Sequence, residues 1–128
     1  MSDLKQAVII EDDRLSAKVL ETLLKQQGMS VIVIADPALT SSVLAGITTP
    51  DVIFVDLEMP HLDGYQVLAL LHAQIPIHVP IAAYTANTGQ MVIAMDKGFN
   101  GFFAKPINSA TFPENLAQLL RGEKVLSI

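Results

Sequence analysis

The chain predicts an α/β fold: a doubly wound, five-stranded parallel sheet of order 2-1-3-4-5 with helices on both faces. Three observations lead there. Five short apolar runs, at 7–10, 30–35, 52–55, 81–84 and 101–104, are mostly near-continuous rather than alternating, the pattern of strands buried on both faces. A helical segment follows each run. No repeat, low-complexity tract or linker interrupts the alternation, and 128 residues suit one domain able to bury roughly two thirds of its unfolded-chain surface.

The elements follow in order. After the first strand, residues 14–27 carry Leu15, Val19, Leu20, Leu23 and Leu24 as one apolar stripe, and Gly28 supplies a C-terminal stop. The second strand, 30–35, runs into Asp36-Pro37, an N-cap followed by proline at the first helical position, which opens a short helix to about 45. Val52-Ile53-Phe54-Val55 is the most apolar strand. A helix is expected from 62 to about 75, ended by Pro76 and Pro80. The strand at 81–84 leads to a short, weak helix over 89–97. After the fifth strand, Thr111-Phe112-Pro113-Glu114 fits a capping box that starts a helix bearing Leu116, Leu119 and Leu120.

Composition removes several classes. Hydrophobic residues make up 51 % of the chain, yet no uninterrupted apolar stretch approaches the ~20 residues of a membrane helix. The start MSDLKQAVIIEDD lacks a basic segment followed by an apolar core, so secretion is not expected. The absence of cysteine excludes disulfides and thiolate chemistry. A soluble cytoplasmic protein is the expectation. A net charge of −5 argues against nucleic acid, which needs a Lys/Arg patch. The charge is unevenly spread: no Lys or Arg lies between Lys25 and Lys97, and nothing formally charged lies from Gly64 to Met95.

In such a sheet, ligands sit outside the carboxyl ends of the strands, near the switch point between strands 1 and 3. Strand 1 ends in Glu11-Asp12-Asp13, strand 3 in Asp56, strand 4 in Thr85 and strand 5 in Lys105-Pro106. Carboxylates gathered there repel one another and raise each other's pKa unless a cation intervenes. Their hard oxygens suit Mg²⁺. An ammonium and a hydroxyl beside them are groups that hold phosphoryl oxygens. Together these describe a phosphoryl-transfer site with Asp56 as candidate nucleophile. Each residue also has a plainer use: Asp12 or Asp13 can cap the first helix, and Thr85 or Lys105 alone would be ordinary loop chemistry. The coincidence of four complementary strand ends is what argues for a site. His61, His72 and His78 have no metal-ligand spacing and read as surface or packing residues. No GxGxxG or Walker A motif occurs, which weakens dinucleotide and NTPase readings.

Four segments, "VIIEDD" (8–13), "DVIFVDLEMPHLDG" (51–64), "IAAYTAN" (81–87) and "GFFAKPI" (101–107), resemble the receiver (response-regulator) domains of two-component signalling, chemotaxis-regulator-like and flavodoxin-like in fold. The resemblance spans essentially the whole chain, 1–128, as one receiver domain. It implies that Asp56 is the phosphoacceptor and that Glu11 and Asp12 hold Mg²⁺, with Asp12 the more direct ligand. It also implies that Glu58 offers its backbone carbonyl to the metal, that Thr85 is the switch hydroxyl and that Lys105 pairs with phosphoryl oxygens. Phe102 matches the switch aromatic, often Tyr, and Ala86 a small residue leaving room for the phosphoryl group. A cis Lys105-Pro106 bond is implied as well. The departures are Glu at position 11 for Asp and Phe102 without a phenolic hydroxyl. No output domain is expected after the fifth helix, which leaves a single-domain regulator or a receiver taken from a hybrid kinase or multidomain protein.

The implied activity is transfer of a phosphoryl group from a phosphohistidine onto Asp56. The Thr85 hydroxyl then swings towards the new oxygens and Phe102 turns inward, changing the surface of the fourth helix, fifth strand and fifth helix. The chain is expected to catalyse only its own phosphorylation and dephosphorylation, and so not to be a conventional enzyme. The implied partners are a sensor histidine kinase or histidine phosphotransfer protein, then an output protein or a second copy. Met91 to Met95 are five consecutive apolar residues, more than one stripe of a short helix can hide. Some of Met91, Val92, Ile93 and Met95 are therefore expected to face outward as an interaction surface. Two other classes compete. A pseudo-receiver working without phosphorylation is countered by the intact Asp56, Lys105 and acid pair. A flavin-nucleotide binder is countered by the acid cluster and by the lack of a Ser/Thr/Gly-rich phosphate loop after strand 1.

Overall fold

The computed structural model describes residues 5–60 and 62–128, in the element order β1 (Gln6–Ile10), α1 (Arg14–Gln26), β2 (Ser30–Ile34), α2 (Thr40–Ala45), β3 (Val52–Asp56), α3 (Gly64–Gln74), β4 (Ile81–Thr85), α4 (Met91–Lys97), β5 (Gly101–Ala104), α5 (Phe112–Leu120) and β6 (Val125–Ser127). The readings of His61 and of the first four residues of the N-terminal start lie outside the described residues. All strands are parallel, in the order β2-β1-β3-β4-β5-β6. The expected order 2-1-3-4-5 is therefore present, extended by a sixth strand. Gly122, at φ +85°, turns the chain out of α5, and Val125 pairs with Gly101 and is buried. Three residues behind Glu123-Lys124 are too short a run for periodicity to reveal.

Alternation along the strands divides the core into two layers. Val8, Ile10, Ile53, Val55, Ile81, Ala83 and Phe102 join Val67, Leu68, Leu71 and Ala94 on the α3/α4 side. Ala7, Ile9, Val52, Phe54, Ala82, Tyr84 and Phe103 join Leu20, Leu24, Phe112, Leu116 and Leu119 on the α1/α5 side. In that layer Phe54 meets Phe103 edge-on at 5.5 Å and Phe112 at 6.3 Å. Every residue of β3 is buried, which explains why that run carries no polar residue before Asp56. The charge-free span is accounted for in part by α3 and the fully buried β4.

Several local expectations change. In α1 the buried face is Ala17, Leu20 and Leu24, while Leu15 (73 % exposed) and Val19 (47 %) turn to solvent. Ala17, three residues before Leu20, sets the face that packs on the sheet, so the run of leucines is two stripes rather than one. Thr111 forms no side-chain cap on α5: its backbone is already near-helical (φ −97°, ψ −10°), and its hydroxyl donates to the Asn108 carbonyl at 3.4 Å. A full capping box sits instead on α3, where Asp63 accepts from the Tyr65 and Gln66 N–H groups and the Gln66 side chain accepts from the Asp63 N–H. That cap starts α3 at Gly64 rather than at 62. Asp36 caps a 3₁₀ turn, Pro37–Leu39, ahead of α2. Gly28 ends α1 in the left-handed region, as expected, at φ +80°. Among the described residues, no helix is long and apolar enough to cross a membrane.

Candidate functional site

The carboxyl ends of β1, β3, β4 and β5 bring the predicted residues to one edge. Asp56 ends the buried strand β3 and is 4 % exposed; its Oδ1 accepts the Glu58 N–H at 3.0 Å. The loop then returns through Leu57, whose carbonyl accepts the Gly64 N–H at 3.3 Å. Glu11 leaves β1 with its N–H bonded to the Ile34 carbonyl at 3.1 Å and its side chain buried. Asp12 is solvent-accessible. One carboxylate oxygen from each of Glu11, Asp12 and Asp56 lies within 4.8 Å of the others. Asp13 is the N-cap of α1, accepting from the Ser16 N–H at 3.3 Å and hydroxyl at 2.7 Å, and these bonds pull its pKa below the usual aspartate value. The helix-start reading of Asp13 therefore holds.

Lys105 reaches this cluster from the end of β5, directly before a cis bond to Pro106. Its Nζ lies 2.7 Å from Glu11 Oε1 and 3.5 Å from Asp56 Oδ2, and 4.5 Å from the centre of the Tyr84 ring. Tyr84 is a site residue that sequence reasoning missed. Its hydroxyl donates to Glu11 Oε1 at 3.0 Å, so that oxygen carries both Tyr84 and Lys105. The available signal was a phenol placed directly before Thr85, at the mouth of a strand of otherwise apolar residues. Burial, first, and then the neighbouring Glu11 carboxylate hold Tyr84 as the neutral phenol.

Thr85 ends β4 fully buried. Its hydroxyl donates to Glu58 Oε1 at 2.7 Å and accepts the Asn87 N–H at 3.1 Å. Phe102 is likewise fully buried, in the α3/α4 layer. The ring lies inside in this structure, and without a hydroxyl nothing polar draws it out. In α4, Val92 (72 % exposed) and Ile93 (48 %) face outward, whereas Met91 and Met95 pack against the core. Of the four candidates, the outward ones are thus Val92 and Ile93, because a 3₁₀ turn at Thr88–Gln90 and the buried Ala94 turn the two methionines to the same inner face.

Beside Lys105, a cleft of about 340 Å³ is lined by Leu15, Val19, Tyr84, Ala86, Pro106 and Ile107. The exposed pair on α1 therefore borders the site. A larger cavity of about 470 Å³, between His72, Ile77 and Asn100, lies at the opposite edge of the sheet and holds no carboxylate. His72 and His78 are exposed, in keeping with their reading as surface residues.

Three clustered carboxylates with a solvent-accessible member fit a hard divalent cation of the Mg²⁺ kind. Glu11 shows the cost of leaving them together: burial, first, and then Asp56 raise its pKa above 4.5, against the opposing pull of Lys105. A raised carboxyl pKa means the folded state binds that proton more tightly than the unfolded chain. The stability tied to the proton is fully present below the unfolded value and is lost as pH rises through the folded value. A cation should replace the proton at higher pH. The Mg²⁺-induced rise in thermal midpoint is thus expected to be largest above the pH at which Glu11 loses its proton and to shrink as pH falls through that range. Scanning fluorimetry across that range checks this, and Glu11→Gln should flatten the dependence.

Residues 7–117 match the response regulator receiver domain, and the chain belongs to that family. It is 28 % identical over 120 residues to hybrid signal transduction histidine kinase A of Dictyostelium discoideum, covering 89 % of this chain but only 6 % of that protein. It is 41 % identical over 70 residues to Protein PilG of Pseudomonas aeruginosa, 55 % of this chain and 51 % of PilG. The chain thus spans from a small fraction to about half of these relatives. Among solved structures it resembles the receiver domain of the sensor histidine kinase PA1611 from Pseudomonas aeruginosa PAO1, solved with a magnesium ion coordinated in the active site cleft (TM-score 0.79, 29 % identity, 93 % of this chain and 99 % of that one). The Vibrio cholerae chemotaxis protein CheY4 shares the fold, with TM-score 0.80 at 21 % identity over 91 % of this chain and 99 % of that one. Receiver domains act in two-component signalling, pair with histidine kinases or phosphotransfer proteins, and generally use Mg²⁺ at an acidic site.

Proposed function

We propose that Asp56 accepts a phosphoryl group from a phosphohistidine of a kinase or phosphotransfer protein. The observation that carries this reading is the convergence of the Asp56 carboxylate, the Lys105 ammonium at 3.5 Å and the Glu11/Asp12 acid pair on one strand edge. An Asp56 oxygen attacks phosphorus in line with the departing imidazole. A P–O bond forms, the P–N bond breaks, and its electron pair returns to the ring nitrogen. Lys105 neutralises charge on the transferred oxygens. Glu11, Asp12, Asp56 and the Glu58 backbone carbonyl would hold Mg²⁺, which when bound supplies further positive charge against those oxygens. Leu15 and Val19, four residues apart on α1, together with Pro106 and Ile107, offer the donor protein an apolar seat beside Lys105. The chain turns over no separate substrate; it carries the group and presents it. An interaction module that works without phosphorylation would have no use for this set of charges.

The test is transfer of labelled phosphate from a phosphohistidine protein in the presence of Mg²⁺. The expected product is acid-stable and base-labile. Label that stays on the donor, while a receiver of known competence takes it up in parallel, contradicts the reading.

The outward residues of α4 serve as the output face for a partner protein or a second copy. Val92→Glu and Ile93→Glu are expected to weaken phosphorylation-dependent association about tenfold each, since each buries a charge in an apolar contact. Phosphorylation itself should proceed at the wild-type rate. Light scattering and pull-down with and without phosphodonor check this.

A further inference from the structure

The Thr85 hydroxyl has one proton, and that proton is already committed. It lies in the 2.7 Å bond to Glu58 Oε1, while the Thr85 oxygen accepts the Asn87 N–H at 3.1 Å. In the receiver reading above, on which this inference rests, Thr85 must donate that same proton to a phosphoryl oxygen. Phe102 is buried already, so the ring does not define the resting state of this chain. What does define it is the partner of the Thr85 hydroxyl. We infer that Glu58 is a positioning residue: its side chain latches Thr85 away from Asp56 until phosphorylation displaces it.

The geometry supplies both the hold and the release. A hydrogen bond to a carboxylate is stronger than one between neutral groups, and here its donor is fully buried. Glu58 itself is exposed, so its carboxylate can turn into water without rearranging the core. Its backbone N–H holds Asp56 Oδ1 at 3.0 Å, so the residue is anchored to the atom pair that is modified. A phosphoryl group on Asp56 replaces the single negative charge of the carboxylate with about two, beside a like-charged side chain. It also offers Thr85 new acceptor oxygens. Repulsion of Glu58 and attraction of Thr85 then act in the same direction, and a single hydroxyl exchanges one oxyanion partner for another. Glu58 sets how far the unmodified chain leans towards its resting state.

Beryllofluoride with Mg²⁺ serves as the phosphoryl mimic, and its half-saturating concentration is read from the Ala86 and Asn87 amide resonances of the full chain. Glu58→Gln removes the charge but keeps an oxygen acceptor for Thr85, whereas Glu58→Met removes both at similar size. Both variants should bind more tightly than the wild type through loss of charge. Glu58→Met should exceed Glu58→Gln by about three- to fivefold, the value of the remaining neutral bond. In a Thr85→Val background, which has no hydroxyl to latch, the two variants should be equal. Equal affinities in the Thr85 protein, or a gap that survives Thr85→Val, overturn the latch. If the wild type gives no Asp56-dependent response to beryllofluoride, the phosphoacceptor reading itself falls and takes the latch with it.

Discussion

Lys105→Met is expected to lower the rate of Asp56 phosphorylation by about a hundred- to a thousandfold, the effect of removing one preorganised donor to developing charge. The ammonium stands 3.5 Å from Asp56 Oδ2 and 2.7 Å from Glu11 Oε1 in a partly buried setting, where its charge is less screened than in water. Met fills similar space along the Tyr84 ring, so the fold should persist. Glu11 would lose the charge that opposes its raised pKa, and would therefore protonate at still higher pH. Stopped-flow phosphorylation with a small donor measures the rate, and far-UV circular dichroism checks the fold. A Lys105→Met protein that phosphorylates within threefold of wild type would remove the lysine from the mechanism.

Gly64→Ala is expected to destabilise the protein by about 2–3 kcal/mol, although an alanine normally favours a helix over glycine by about 1 kcal/mol. The reason is space. A Cβ at Gly64 would sit 2.6 Å from the Asp56 carbonyl oxygen, 2.7 Å from Leu57 Cα and 2.8 Å from Leu57 Cδ2. Two of those neighbours are backbone and cannot swing aside. Relief must come from moving α3 away from the end of β3, which shifts Asp56 as well. Phosphorylation should therefore slow together with the loss of stability, though the substitution touches no charged group. Gly46→Ala is the control, because its nearest neighbour would be the Val43 carbonyl at 3.6 Å, an ordinary contact. Urea denaturation of the pair separates crowding from the general effect of adding a methyl.

The strands and the reactive edge were legible because both rest on strong, local signals. A strand buried on both faces must be apolar throughout, so Val52-Ile53-Phe54-Val55 announces itself, and the first polar residue after it falls at the sheet edge. Asp56, Thr85 and Lys105 could be placed together from topology alone. What escaped depends on tertiary choice. Leu15 and Val19 have the spacing of a core stripe, and only the packing of Ala17 and Leu20 on the sheet decides that they face out. Met91 and Met95 are likewise as apolar as Val92 and Ile93, and helix rotation alone sorts them. β6 is too short to show a period. Tyr84 and the Glu58 side chain were missed for a different reason: their partners are 73 and 27 residues away in sequence, and a hydrogen bond across elements leaves no pattern along the chain.

Phosphoryl transfer is expected to place the group on Asp56 and on no other residue. The most direct measurement is intact-protein and peptide mass spectrometry after incubation with a small acyl phosphate donor and Mg²⁺, on the wild type and on Asp56→Asn. One base-labile phosphoryl group per chain is expected, located on the β3–α3 peptide, absent without Mg²⁺ and absent from Asp56→Asn. Equal labelling of Asp56→Asn, or a wild-type protein that takes up no phosphoryl group, would exclude Asp56 as the phosphoacceptor.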